Sequence, residues 1–524
     1  MKLPYEQAEK ILAGMTLEQK VGQMVMASIE VTEMDEKTRR FLRQNHVGNI
    51  ILFGKNCVDR AQLARLNQQI QDEVTSYTGG VQALLSIDQE GGNVTRIRNG
   101  ATVFGCAMSV GQTMDPENAY LTGHIMGNEM RELGIYFDLA PVLDSCSHEA
   151  VNPVVGRRSY GKTPEEVALM GGAMARGLQD AGILACGKHF PGSGDCKVDT
   201  HFAFAVEMTP ENVIREQYLI PFRKAIENGL GALMTSHICY PALEPDRLPA
   251  TMSKRILRDL VRDELGFDGL VISDGLQMLA IAETYGAPNG CVRAAQAGCD
   301  LLIVGNGGDN ADPDGADVQT PCIQAMLKAV ETGELSMERV NESARRVIAH
   351  KLALGDMQPN PDVVSRDWRA HEAFAAALAE MAVKVERDDA HMLPLPKGAL
   401  FLSRISRARL GVEEGDHLVA GFAPMAARLT DGEAVEFADH PDLDALKEKI
   451  EKAPAVVFAF ANSMERDALM EDMKKVCEMN AKTCIVCLDI PLMAEELTFA
   501  QTLITSHDQT VHAIRAICRS LQAL

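Results

Sequence analysis

The run Lys188-His189-Phe190-Pro191-Gly192 places two cationic side chains at the end of an apolar stretch, residues 183–187, and Asp199-Thr200-His201 follows shortly after. An Asp two residues before a His on a loop can orient that imidazole and tune it for acid/base work. A mobile, solvated loop is the other reading of the pair. Lys188 and His189, adjacent at a strand end, are hard to explain by packing. Further candidates also follow apolar runs. Asp88 closes Leu84-Leu85-Ser86-Ile87 and could accept hydrogen bonds from substrate hydroxyls, or simply cap a helix. Asp274 closes Gly269-Leu270-Val271-Ile272-Ser273, with Gly275 behind it leaving room for a ligand; capping the next helix is the alternative. Arg158, in Gly156-Arg157-Arg158-Ser159, could fork two hydrogen bonds to vicinal oxygens, or form a surface ion pair. Arg96 is a weaker candidate of the same kind. His237 reads equally as a site residue or as a satisfied core histidine.

These side chains need a scaffold that collects strand ends. Apolar segments at 23–28, 47–53, 82–87, 135–139, 183–187, 232–236, 269–273 and 300–304 alternate with helical patterns such as 164–181 and 210–228. Eight strand–helix units over this span suit a (β/α)8 TIM-type barrel, whose chemistry gathers at the carboxyl ends of the strands. A doubly wound sheet has the same periodicity. The prolines of Asp356-Met357-Gln358-Pro359-Asn360-Pro361 break the pattern. A second alternation follows, with strands expected at 399–402, 455–459, 483–488 and 501–504. The expected organisation is therefore α/β throughout: a barrel over residues 1–355, a linker over 356–370 and a smaller α/β sandwich over 371–524.

At 524 residues the chain is long enough for two cores, with 46% hydrophobic residues to fill them. A net charge of −22 argues against nucleic acid or an anionic membrane surface as partner. The amino-terminal segment lacks the apolar region of a secretory signal, and no apolar run reaches the length of a membrane span. The 13 cysteines are scattered, mostly within apolar runs, which suits buried side chains in a reducing cytoplasm better than disulfides. Cys484 and Cys487 form a C-x-x-C, but inside an apolar strand pattern rather than a redox turn. No metal-ligand spacing, dinucleotide fingerprint or Gly-x-Ser-x-Gly elbow stands out, so no cofactor is expected.

Taken together, Met15-Thr16-Leu17-Glu18-Gln19-Lys20-Val21-Gly22-Gln23-Met24, Ile87-Asp88-Gln89-Glu90-Gly91-Gly92, Gly187-Lys188-His189-Phe190-Pro191-Gly192, Asp199-Thr200-His201 and Leu265 through Asp274 resemble family 3 of the glycoside hydrolases, in its β-N-acetylglucosaminidase branch. The resemblance spans most of residues 15–305. It implies a barrel followed by an α/β sandwich. It also implies that Asp274 is the nucleophile and that His201, paired with Asp199, is the general acid/base. Asp88, Arg158, Lys188 and His189 match positions that hold the sugar in this family, and Arg96 a further one. Ser193 departs from the pattern, since many relatives carry His there.

The activity implied is retaining removal of terminal β-linked N-acetylglucosamine through a glycosyl-aspartate, with a carbohydrate substrate and a role in cell wall recycling in the cytoplasm. A β-N-acetylglucosaminide phosphorylase could use the same residues, because a histidine acid/base carries no negative charge to repel phosphate. A β-glucosidase and an inactive sugar-binding barrel are the remaining alternatives.

Overall fold

The computed structural model describes residues 3–145, 152, 154–193, 196–305, 317–360, 367–405, 421–461 and 466–522. All eight expected barrel strands are present: β1 Val25–Ser28, β2 Asn49–Leu52, β3 Leu84–Ile87, β4 Phe137–Asp138, β5 Leu184–Phe190, β6 Ala232–Thr235, β7 Leu270–Ser273 and β8 Leu302–Val304. They pair in parallel in the order β7-β6-β5-β4-β3-β2-β1-β8. A parallel bridge between Ile272 and Leu301 joins the two ends of that order and closes the cylinder. The TIM-type barrel, and not the doubly wound sheet, is therefore the architecture.

Strand pleating decides which side chains fill the cylinder, because successive residues point to opposite faces. Met26, Leu84, Leu184, Cys186, Met234, Leu270 and Ile272 form one buried cluster inside the barrel. Val25, Leu85, Ala185, Leu233 and Val271, one step out of phase, join the larger core between the strands and the surrounding helices. Continuing the inward phase past the strand ends gives Asp88 after Leu84 and Ser86, Lys188 after Leu184 and Cys186, and Asp274 after Leu270 and Ile272. The same alternation that packs the barrel thus delivers three ionisable side chains to its mouth.

The second sheet contains β9 Lys384–Asp388, β10 Leu400–Arg404, β11 Glu433–Phe437, β12 Val456–Phe460, β13 Thr483–Cys487 and β14 Thr502–Thr505. Its order is β9-β14-β13-β12-β10-β11, parallel except for the antiparallel edge strand β9. Two buried apolar clusters cover its faces. The sequence reading finds only the four central strands. Both edge strands, Lys-Val-Glu-Arg-Asp and Glu-Ala-Val-Glu-Phe, are charged and mostly solvent-facing, so they lack the apolar run that marks a buried strand. Of the expected linker, residues 361–366 lie outside the described residues, and a helix, Trp368–Ala382, begins before its expected end. Cys484 and Cys487 sit within β13, both buried.

The carboxyl end of the second sheet meets the barrel near its mouth. Arg157 Nη1 donates to Leu488 O at 3.3 Å, just past β13, and Cys106 Sγ donates to His507 O at 2.9 Å, just past β14. Lys162 Nζ pairs with Glu495 at 2.5 Å. Among the described residues, no helix is long and apolar enough to cross a membrane.

Candidate active site

Asp88, at the end of β3, opens a tight ribbon in which Gln89–Gly91 pairs with Val94–Thr95. The Gln89 carboxamide accepts the backbone N–H groups of Arg96 and Ile97 at 3.0 and 3.1 Å, which fixes the return of the ribbon. Gly91 and Gly92 have positive φ, and a Cβ on them would lie 2.4 Å from Gly105 O and 2.6 Å from Cys106 Cβ. Their small size is therefore needed for packing against the 104–106 segment rather than for approach to a ligand.

The ribbon brings Asp88 and Glu90 over the end of β5. Lys188 Nζ sits 2.7 Å from Asp88 Oδ1 and 2.6 Å from Glu90 Oε1. Arg158 grips Glu90 with both ends of its fork, Nη2 at 2.7 Å and Nε at 2.8 Å. Arg96 Nη2 lies 3.6 Å from the other Asp88 oxygen, a looser ion pair. All five side chains are buried. Burial disfavours the charged forms of Glu90, Arg158 and Lys188, but the opposing charges win. Arg158 and Lys188 hold Glu90 far below the usual carboxylate range, and Asp88 and Glu90 hold Lys188 above its ordinary value. Arg158 is thus neither a surface ion pair nor a free fork, and Asp88 caps no helix.

His189 is oriented from β4. Its Nδ1 lies 2.7 Å from Asp144 Oδ2, and that oxygen also accepts the His189 backbone N–H at 3.1 Å. The other Asp144 oxygen accepts Ser193 N–H at 2.6 Å. Residue 193 serves this contact through its backbone, which explains why a serine is tolerated there. Sequence alone does not single out Glu90 and Asp144. Glu90 lies beside Asp88 and Asp144 follows the apolar run Leu139-Ala140-Pro141-Val142-Leu143, so each carried the signal used for its neighbours.

Asp274 ends β7 with its carboxylate accepting the N–H of Gly275 at 2.7 Å. It does not cap the following helix, Leu279–Tyr285, whose cap residue is Met278. Burial alone would raise its pKa. The imidazoles of His237, His189 and His201 and the Gly275 N–H oppose burial and keep the carboxyl below its ordinary value of 3.8. His237 turns out to be a satisfied core histidine beside the site. Its Nε2 lies 3.0 Å from Gly275 O, which can only accept, so Nε2 holds a proton; Nδ1 is 2.8 Å from Thr251 Oγ1. Burial pushes its pKa down.

The Asp199–His201 loop is docked over the same end. His201 O and Thr200 O accept the N–H groups of Leu279 and Ala280 at 3.4 and 3.3 Å. These are donors that a helix start leaves without internal partners. The far side of the loop is pinned where Ala205–Val206 pairs in parallel with Ile238–Cys239. His201 Nδ1 is 2.7 Å from Asp199 Oδ1. The structure therefore brings all eight expected site residues to one end of the barrel, in two groups. Asp88, Arg96, Arg158 and Lys188 form one network, while Asp274, His189 and His201 interact electrostatically, with Asp199 on His201.

An anionic carboxylate, a carboxylate-held imidazole and a network of buried charged groups at the carboxyl ends of barrel strands are groups that cleavage of an acetal linkage can use. On this fold, they point to the class of glycoside hydrolases. The profile of the glycosyl hydrolase family 3 N-terminal domain matches residues 16–350, and the chain belongs to that family. A β-hexosaminidase of Nitrosomonas eutropha is 35% identical over 323 residues, covering 60% of this chain and 88% of that protein. One of Thiobacillus denitrificans is 37% identical over 294 residues, covering 55% of this chain and 79% of that protein. A solved glycoside hydrolase family 3 β-N-acetylglucosaminidase from Paenibacillus sp. str. FPU-7 is similar over 97% of both chains, at 32% identity and a TM-score of 0.88. That structure matches the second sheet as well as the barrel.

Proposed function

We propose that this glycoside hydrolase is a retaining exo-β-N-acetylglucosaminidase with Asp274 as nucleophile and the Asp199–His201 dyad as acid/base. The observation that carries this reading is the setting of Asp274: inward phase at the end of β7, ionised, and within the electrostatic reach of His201. The names of the similar β-hexosaminidases and of the Paenibacillus β-N-acetylglucosaminidase support the choice of sugar.

In the first step Asp274 attacks the anomeric carbon as the bond to the leaving oxygen breaks, and His201 Nε2–H gives its proton to that oxygen. The ionised carboxylate also stabilises the oxocarbenium-like transition state before the bond forms. In the second step neutral Nε2 takes a proton from water as its oxygen attacks the anomeric carbon and the ester to Asp274 breaks. The sugar leaves with its original configuration. Lys188 has three donors, two of them committed to Asp88 and Glu90, so one can be given to a sugar hydroxyl. Asp88, Arg96, Arg158 and His189 complete the sugar site.

Replacing Asp274 with Ala should abolish release of N-acetylglucosamine from its p-nitrophenyl β-glycoside. A slow fluorinated glycoside should leave a covalent adduct on Asp274, visible by mass spectrometry. Near-normal rates in the variant, or an adduct elsewhere, would remove the nucleophile assignment. The same assay in phosphate buffer distinguishes a phosphorylase, which would form the sugar 1-phosphate. We further place the enzyme in the cytoplasm, acting on cell-wall fragments. The scattered cysteines support this reading, since ten of the twelve described ones are buried. Fractionation that recovers the activity outside the cytoplasm would reject it.

A further inference from the structure

The loop that carries Asp199 and His201 also carries the densest group of exposed apolar side chains among the described residues. Of fifteen large hydrophobic residues exposed to solvent, five are Val198, Phe202, Phe204, Val206 and Met208, and no phenylalanine outside this loop is among the fifteen. The segment is inverted relative to an ordinary surface strand. Phe204, Val206 and Met208 face out, while Ala205 and Glu207 between them are buried. Glu207 is held there by Thr209, whose N–H and hydroxyl donate to its Oε1 at 3.1 and 2.5 Å. The backbone pairing with Ile238–Cys239 and the bond from Glu207 N to Cys239 O at 2.8 Å fix this phase, so the outward side chains cannot turn inward without breaking it.

An exposed apolar patch of this kind marks a binding surface. Its outward side chains from Phe202 to Val206 are uncharged, so they suit the apolar face of an occupant rather than a charged group. Its position selects which one. Phe202 directly follows His201, with its ring centroid 6.4 Å from the imidazole. An acid that protonates the leaving oxygen lies beside the leaving group, and a side chain one ring-width away lies within that group's reach.

We propose that Phe202 and Phe204 form an aromatic shelf for the leaving-group saccharide, with the apolar C–H face of a neutral sugar ring stacked on it. The shelf rests on the acid/base reading of His201. It makes the dyad loop a specificity element as well as a source of protons, favouring substrates whose leaving group is itself a sugar.

The test compares triacetylchitotriose with methyl β-N-acetylglucosaminide, using wild type, F202A/F204A and F202W/F204W. Both substrates need an acid at the leaving oxygen, but only the first leaves with a sugar ring. In F202A/F204A the ratio of kcat/KM for chitotriose to that for the methyl glycoside should fall by about tenfold. In F202W/F204W the ratio should be kept. An unchanged ratio, with both rates falling together, would mean that the phenylalanines only position His201, and would overturn the shelf. A sedimentation coefficient that drops in F202A/F204A would assign the strip to contact between two copies of the chain, and would also overturn it. If wild type cleaves neither substrate, the glycosidase reading itself fails, a result that needs no variant to recognise.

Discussion

Asp199 Oδ1 takes two hydrogen bonds from one residue: the backbone N–H of His201 at 2.9 Å and its ring Nδ1 at 2.7 Å. The carboxylate therefore fixes both the backbone and the ring of His201. It also fixes the tautomer, since Nδ1 must hold a proton to donate, and the proposed mechanism gives the proton exchange to Nε2. Replacing Asp199 with Ala should lower kcat by about 100-fold on an alkyl glycoside, within the range general acids contribute, and by much less on a glycoside with an acidic leaving group. Steady-state rates across a leaving-group series check this; a uniform loss across the series would show that Asp199 does not act through proton transfer.

Glu90 joins Lys188 and Arg158 without contributing a catalytic proton. In E90Q the guanidinium and ammonium lose a buried anion, which in such pairs costs roughly 3–5 kcal/mol of stability. Asp88 still faces Lys188, so a value near the lower end is expected, measured by denaturant unfolding. Because Arg158 loses its forked anion and Lys188 one of its two, kcat/KM should also fall by about tenfold or more.

Asp138 titrates in the opposite sense to Glu90. It is fully buried, its one clear partner is the Gln89 N–H at 3.0 Å, and burial pushes its pKa well above 3.8 despite that bond and nearby Lys188. A folded-state pKa raised above the unfolded value means that the folded chain keeps a proton which the unfolded chain releases. Stability is then lost as pH rises from about 4 toward the folded pKa. D138N, neutral and of the same shape, lacks this loss. Its Tm relative to wild type should climb as pH rises above about 4; parallel Tm profiles would show that Asp138 is ionised when folded.

Gly105 tests how the second sheet supports the site. A Cβ there would lie 2.8 Å from Asp508 Oδ2 and 3.1 Å from Ser109 Oγ. The Asp508 carboxylate is held by Thr510 Oγ1 at 2.6 Å, so it cannot easily yield. G105A should destabilise by about 1–3 kcal/mol, as overpacking does. The same substitution should raise KM, because Gly105 backs Gly91 in the ribbon that carries Glu90. A thermal melt with parallel kinetics separates the two effects.

Much of this protein was legible in its sequence because barrel strands announce themselves. An apolar run with a polar residue in the inward phase at its end gives both the strand and a candidate for the site, as at Asp88, Lys188 and Asp274. The edge strands Lys384–Asp388 and Glu433–Phe437 escaped because solvent, not packing, sets their composition. Which partner each charge takes was not legible. That Arg158 grips Glu90, that Asp144 orients His189, and that Phe202 faces outward beside His201 depend on how far apart the loops stand once the cylinder closes. Sequence spacing determines the phase of a side chain along its own strand, whereas the distance between side chains on different strands exists only in the closed barrel.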